Sequence, residues 1–372
     1  MGSKRAMLLN GLGELLDREG GNALRFVDLF AGSGAVAVHI ARKFPIPVLA
    51  FDLQEYSAVL TGAVIERKTA LDSTSLWPKW ERRALAESKK ARSPEKKTLT
   101  QAVIVDYREW SGCQDKLAIT KAYGGYYFSP QQAVLIDSLL TTLPERGYAR
   151  LVGLAAIVQA ASRCAAAPGH TAQPFQPTRG AMPFIKEAWR KDVLQCTKVA
   201  FSALAELFAI RSGEAKVRDA NKAAKHLLKG DIAFIDPPYS AVHYSRFYHV
   251  LETIARCEHV DVSGRGRYPA PELRPRSKYS VQTEAPAALR DLLGTIAARG
   301  AKAILTFPQD KCSNGLSGYK VRKMAEEYFL VERASVSSRL SSLGGRGDNQ
   351  NGEAGRAATR HTRELMLVLK PK

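Results

Sequence analysis

Residues 24–52 restrict the possible folds more than any other stretch of the chain. LRFVDLF (24–30) reads as a short buried strand, and AGSG (31–34) follows as a tight turn. AVAVHIARKF (35–44) reads as a helix opening on that turn, and PIPVLAFD (45–52) as a second strand ending in an acid. Strand, glycine turn, helix and strand make a βαβ unit, which requires parallel strands and helices on the sheet faces. The same texture returns at DIAFID (231–236), AKAILTFP (301–308), YFLVERASV (328–336) and ELMLVLKP (364–371). QAVIVDY (101–107) is read as a further strand, with Asp106 near its end. The expected architecture is α/β, with a doubly wound, mostly parallel sheet. Met7, Leu8, Leu12, Leu15 and Leu16 predict an amphipathic helix ahead of it.

Between these βα units the composition changes. Residues 107–229 run through aromatic and glycine-rich loops, alanine-rich helices and a proline-rich loop, and read as a mainly helical insertion. Three domains are expected: 1–106 with a basic insert at 72–100, the insertion 107–229, and 230–372. The 341–360 segment, rich in glycine, asparagine and arginine, reads as a mobile loop. With 55 Lys and Arg against 36 Asp and Glu, the chain carries +19, which favours a polyanionic partner. Five scattered cysteines, with no CxxC pair and no zinc spacing, suit reduced thiols in a cytoplasm, and no metal site is expected. No signal peptide or membrane span is read, so a membrane is not an expected partner.

Gly32-Ser33-Gly34, with Ala37, fits both a dinucleotide site and an S-adenosylmethionine site. Asp52 suits a ribose diol in either case. The turn therefore implies a nucleoside cofactor and no more. Asp236-Pro237-Pro238-Tyr239 follows the 231–236 strand, at the edge where open α/β sheets place ligands. Two prolines fix φ twice and remove two N–H donors. That geometry suits methyl transfer to an exocyclic amine. The Asp236 carboxylate and the Pro237 carbonyl each accept one N–H and localise the nitrogen lone pair, while Tyr239 offers a face for stacking.

Taken together, these motifs resemble the adenine-specific DNA methyltransferases of the Dam-like, restriction–modification type. The resemblance covers most of the chain. It implies a Rossmann-like methyltransferase core and S-adenosyl-L-methionine as cofactor. Lys4, before the first helix, would meet the methionine carboxylate. Asp28, Phe30, Gly32 and Gly34 match the main cofactor motif, Asp52 the ribose acid, and Asp106 the acid near the cofactor's adenine ring. Asp236, Pro237 and Tyr239 would be catalytic, with Pro238 beside the target base. The order of motifs places target recognition between Asp106 and Asp236.

The implied reaction is methylation of adenine N6 in double-stranded DNA after base flipping. A cognate restriction endonuclease acting separately is the implied biological partner. Arg246, Arg265, Arg267, Arg274, Arg276 and Lys278 are expected to face DNA, mostly its phosphates. The 79–97 basic run reads equally as a DNA arm or a solvated face. Tyr244 and Tyr248 are expected on one helix face packing against the sheet, and His170 as a DNA-contacting or structural residue. Rival readings are an RNA adenine methyltransferase with the same motif, a non-catalytic DNA-binding protein on this fold, and a nicotinamide-dependent oxidoreductase. The last leaves the DPPY tetrapeptide unexplained.

Overall fold

Seven strands pair into one sheet in the computed structural model, which describes residues 4–145, 147–341 and 359–372. In chain order they are β1 (Arg25–Asp28), β2 (Val48–Asp52), β3 (Glu214–Val217), β4 (Asp231–Ile235), β5 (Lys302–Pro308), β6 (Phe329–Ser341) and β7 (Thr359–Pro371). Their spatial order is β3-β2-β1-β4-β5-β7-β6. The first five are parallel, and β7 joins antiparallel to both β5 and β6. Every residue of β4 is buried, which suits a central strand covered on both faces. Arg25 and Asp231 lock the first rungs of β1 and β4 with two hydrogen bonds, of 2.9 and 2.6 Å. This confirms the α/β, mostly parallel expectation.

The chain forms two compact units. The sheet unit takes Met1–Leu53, Ala209–His243 and Ser277–Lys372; the helical unit takes Gln54–Phe208 and Tyr244–Arg276. These units cut across the three expected domains. The chain leaves the sheet after β2, and residue 106 lies inside the helix Gln101–Gly112. The expected insertion 107–229 includes β3 and the helix Ala220–Ala224, both of the sheet unit. The expected catalytic half contributes 244–276 to the helical unit.

QAVIVDY is helical because Thr100 caps it, its side chain accepting from the Val103 N–H. Ile104 and Tyr107 are buried three residues apart, while Val105 and Asp106 are exposed. A short apolar run does not distinguish strand from helix, and the cap and the spacing decide it here. The 72–100 insert is not a strand connection. Asp72 caps the helix Ser73–Ser88, whose Trp77 and Trp80 pack with Phe201 while Lys79, Arg82 and Arg83 stay exposed. The 244–256 segment forms two short helices broken at Tyr248. It belongs to the helical unit, where the Tyr248 ring lies 5.3 Å from that of Tyr56. Residues 342–358 of the expected mobile loop lie outside the described residues; Ser341, Thr359 and Arg360 are strand. Among the described residues no helix is long and apolar enough to cross a membrane.

Candidate active site

The glycine turn leaves β1 at its carboxyl end. Gly32 and Gly34 hold φ of +54° and +77°, conformations that disfavour other residues. Gly34 closes the turn through its N–H to Ala31 O (2.8 Å), and its own carbonyl starts the helix Ala35–Lys43 by accepting from Val38. A Cβ at Gly32 would meet only the Phe30 carbonyl, at 3.9 Å, so one side of the turn is open to a ligand. Asp52 ends the neighbouring β2, and its Oδ2 accepts the Gly32 N–H at 2.9 Å. Phe30 sets its ring edge-on to Tyr279 with centroids 5.1 Å apart. These groups fit a nucleoside cofactor: bare backbone beside a carboxylate on the adjacent strand.

Asp28 is buried beneath this turn and accepts the Phe30 N–H at 3.2 Å. Burial, reinforced by the charges of Asp236 and Asp52, raises its carboxyl pKa to about 8. A raised carboxyl pKa means the folded state holds a proton that the unfolded chain releases near pH 4. Stability is therefore lost as pH climbs toward 8, and the loss is complete above it. Asp28→Asn removes that penalty. Between pH 6 and pH 9 the wild type should lose on the order of 2 kcal/mol more than the variant. Denaturant titrations at the two pH values measure this, and equal losses in the two proteins would contradict it.

The DPPY segment leaves β4 next to β1. Asp236 is partly exposed, and its Oδ1 receives two donors: Lys4 Nζ at 2.9 Å and Thr306 Oγ1 at 2.8 Å. No partner reaches Oδ2 among the described residues. Lys4 sits in the first turn of the opening helix, and its ammonium also touches Glu364 Oε1 and Oε2 at 3.2 and 3.4 Å. Burial opposes the lysine charge, but Asp236 and Glu364 outweigh it and raise its pKa. Burial likewise raises the pKa of Glu364. Asn314, fully buried, donates to the carbonyls of Pro238 (2.8 Å) and Tyr279 (3.0 Å), which fixes the second proline of the tetrapeptide. Pro237 is buried, and Tyr239 is partly buried against the core of the sheet unit.

The structure thus brings Lys4, Asp28, Phe30, Gly32, Gly34, Asp52 and the DPPY residues to one end of the sheet unit. Asp106 is an exposed helix residue of the helical unit, because its segment never enters the sheet. The acid that does follow the next strand is Asp219, past β3, whose neighbour Arg218 donates its N–H to Asp52 O at 2.8 Å. The sequence signal was VRDAN, an acid capping a helix immediately after EAKV. The strand escaped notice because it is a half-exposed edge strand without an apolar run. Thr306, Asn314 and Glu364 were also missed. Their faint signal is a polar residue within or beside an apolar strand.

The expected DNA-facing residues divide between the units. Lys278 is exposed in the sheet unit; Arg265 and Arg276 are exposed in the helical unit. Arg246 is exposed, with its guanidinium 4.9 Å from the Tyr268 ring centre, and Arg274 lies 5.4 Å from the same ring. Arg267 is held inward. It donates to Ala122 O (2.8 Å) and Lys121 O (3.1 Å) and lies over Tyr126 at 4.4 Å, so two of its donors serve the loop itself. His170 rests edge-on to Phe247, and burial lowers its pKa.

A parallel sheet carrying a glycine turn, an acid on the adjacent strand and a DPPY edge fits the class of enzymes that hold a nucleoside cofactor. The family model for D12 class N6 adenine-specific DNA methyltransferases matches residues 1–93 and 201–280, which include the glycine turn, Asp52 and the DPPY tetrapeptide. Over those two segments, a little under half of its length, the chain is similar to that family. It is also similar to the modification methylase LlaI of Lactococcus lactis subsp. lactis, 48% identical over 48 residues (12% of this chain and 8% of that protein). A second relative is the modification methylase StsI of Streptococcus sanguinis, 37% identical over 79 residues (21% of this chain and 12% of that protein). The chain matches about a tenth of the length of these curated relatives.

Proposed function

We propose that this chain transfers a methyl group from S-adenosylmethionine to the N6 amine of adenine in double-stranded DNA, as the modification half of a restriction–modification system. The observation that carries the reading is the Asp236 carboxylate, anchored through Oδ1 at the β4 edge with Oδ2 left to accept. The bound cofactor supplies an already activated methyl group. The remaining work falls to the chain's own residues. Gly32 and Gly34 leave room for the nucleoside, Asp52 takes the ribose hydroxyls, and Asp219 replaces Asp106 as the acid beside the adenine ring. Lys4 serves the methionine carboxylate from its place beside Asp236.

For the target base, Asp236 Oδ2 and the Pro237 carbonyl each accept one N–H of the amine. Two acceptors localise the nitrogen lone pair and point it at the methyl group; positioning of this kind supplies much of the rate. Tyr239 stacks on the flipped base. Arg246, Arg265, Arg274, Arg276 and Lys278 contribute affinity for phosphates rather than sequence reading. Expression in a methylation-free host, followed by sequencing that detects modified adenine, tests the proposal. Methyladenine at one recurring DNA sequence is expected. Unmodified DNA alongside methylated RNA would move the substrate to RNA, and no methylation of either would end the reading.

A further inference from the structure

The carboxylate of Asp236 could hydrogen-bond through either oxygen, yet its two donors among the described residues select the same one. Thr306 Oγ1 reaches Oδ1 from the middle of β5, and Lys4 Nζ reaches it from the opening helix. Thr306 is fully buried on a strand paired to β4 on one side and β7 on the other, so its hydroxyl cannot wander. Glu364, 1% exposed, stands at the start of the apolar run of β7, opposite Pro308 in the antiparallel register. A charged residue in that position is costly unless paired, and its partner is the Lys4 ammonium.

We propose that Thr306 and Glu364 are positioning residues for Asp236: Thr306 fixes the carboxylate's rotation so that Oδ2 meets the substrate amine, and Glu364 shares the Lys4 charge so that Asp236 stays a strong acceptor. The argument rests on the methyl-transfer reading given above. A carboxylate held by two donors on one oxygen is fixed about its Cβ–Cγ bond, and its second oxygen keeps its lone pairs. A lysine divided between two carboxylates draws less electron density from each than a lysine paired with one. The trio of Asp236, Lys4 and Glu364 carries a net charge of −1 with all three ionised, so the acceptor keeps its charge while the ammonium still anchors it. Glu364 touches neither substrate nor reacting atoms in this arrangement; it acts through Lys4.

The test compares Thr306→Val, Thr306→Ser and Glu364→Gln with the wild type and Asp236→Ala, using methyl transfer from tritiated cofactor to DNA together with cofactor affinity by calorimetry. Thr306→Val should lower kcat by about 10- to 100-fold, with KM for DNA and cofactor affinity changed less than about threefold; Thr306→Ser should recover most of the rate. Glu364→Gln, which keeps the shape and loses the charge, should lower kcat by about tenfold or more. Wild-type kcat in Thr306→Val or in Glu364→Gln overturns the proposal, as does equal impairment of the Ser and Val variants at position 306. An active wild type with an inactive Asp236→Ala and unimpaired position-306 and position-364 variants refutes positioning alone. An inactive wild type refutes the function itself. Crystal structures read the positioning without activity: Thr306→Val should show the Asp236 carboxylate rotated or spread over two orientations, and an unmoved carboxylate overturns the proposal.

Discussion

Asp236→Ala should lower methyl transfer to DNA by about a thousandfold or more while leaving cofactor binding within a few-fold of the wild type. The size follows from what the carboxylate does. In the proposed mechanism it is the charged member of the acceptor pair facing the amine, and an amine conjugated to a purine ring is a poor nucleophile until its hydrogens are held. Pro237 alone supplies one neutral acceptor and no charge. Cofactor binding survives because the glycine turn and Asp52 are on other strands, and because Lys4 keeps Glu364 as a partner when Asp236 is gone. The mutation opens no hole in the core, since Asp236 is partly exposed. Retention of more than about a tenth of the wild-type rate would sink the mechanism.

The second large effect concerns stability. Arg67 is the largest fully buried side chain among the described residues, and it pairs with no carboxylate among them. Its guanidinium instead donates to backbone carbonyls: Nε to Ala63 at 2.9 Å, Nη1 to Thr69 at 2.6 Å, and Nη2 to Leu204. Ala63 lies in the last turn of the helix Glu55–Ile65, and Leu204 in the last turn of Val193–Ala205. The Leu204 carbonyl also accepts the Leu207 N–H at 3.1 Å, so the guanidinium adds charge-assisted bonds at the negative ends of both helix dipoles. Burial lowers the Arg67 pKa, so the carbonyls are what hold the charge in place. Arg67→Ala removes all of these donors at once and leaves a cavity. It should cost the helical unit about 3–5 kcal/mol in denaturant titration. Arg67→Lys should rescue only part of this, because a single ammonium cannot reproduce the planar fork. A loss below about 1 kcal/mol in Arg67→Ala would show that water satisfies those carbonyls equally well.

The features legible in the chain are those whose physics is local. The glycine turn at 32–34 needs left-handed backbone, and the sequence supplies glycine at both positions. Buried parallel strands write themselves as apolar runs, which is why β1, β2, β4 and β5 stand where they were expected. DPPY is legible because two prolines dictate their own backbone. Where several structures satisfy the same local pattern, the reading fails. VIV at 103–105 suits a strand or a buried helix face, and the Thr100 cap settles it in favour of the helix. EAKV at 214–217 shows no strand pattern because an edge strand has less apolar surface to bury. That exchange of strand for helix is why the acid after the next strand is Asp219 and not Asp106.

The sequence by itself determined the parallel-sheet class, the glycine turn, the acid that ends β2 and the DPPY turn, since each is set by backbone preferences within a few residues. Only the tertiary structure decided which oxygen of Asp236 is anchored and what anchors it. Lys4, Thr306 and Glu364 come from the opening helix, a central parallel strand and the late antiparallel strand. No local rule relates such distant positions. They meet because strand order places β5 between β4 and β7, and because buried charges must find one another once the surrounding apolar surface has excluded water.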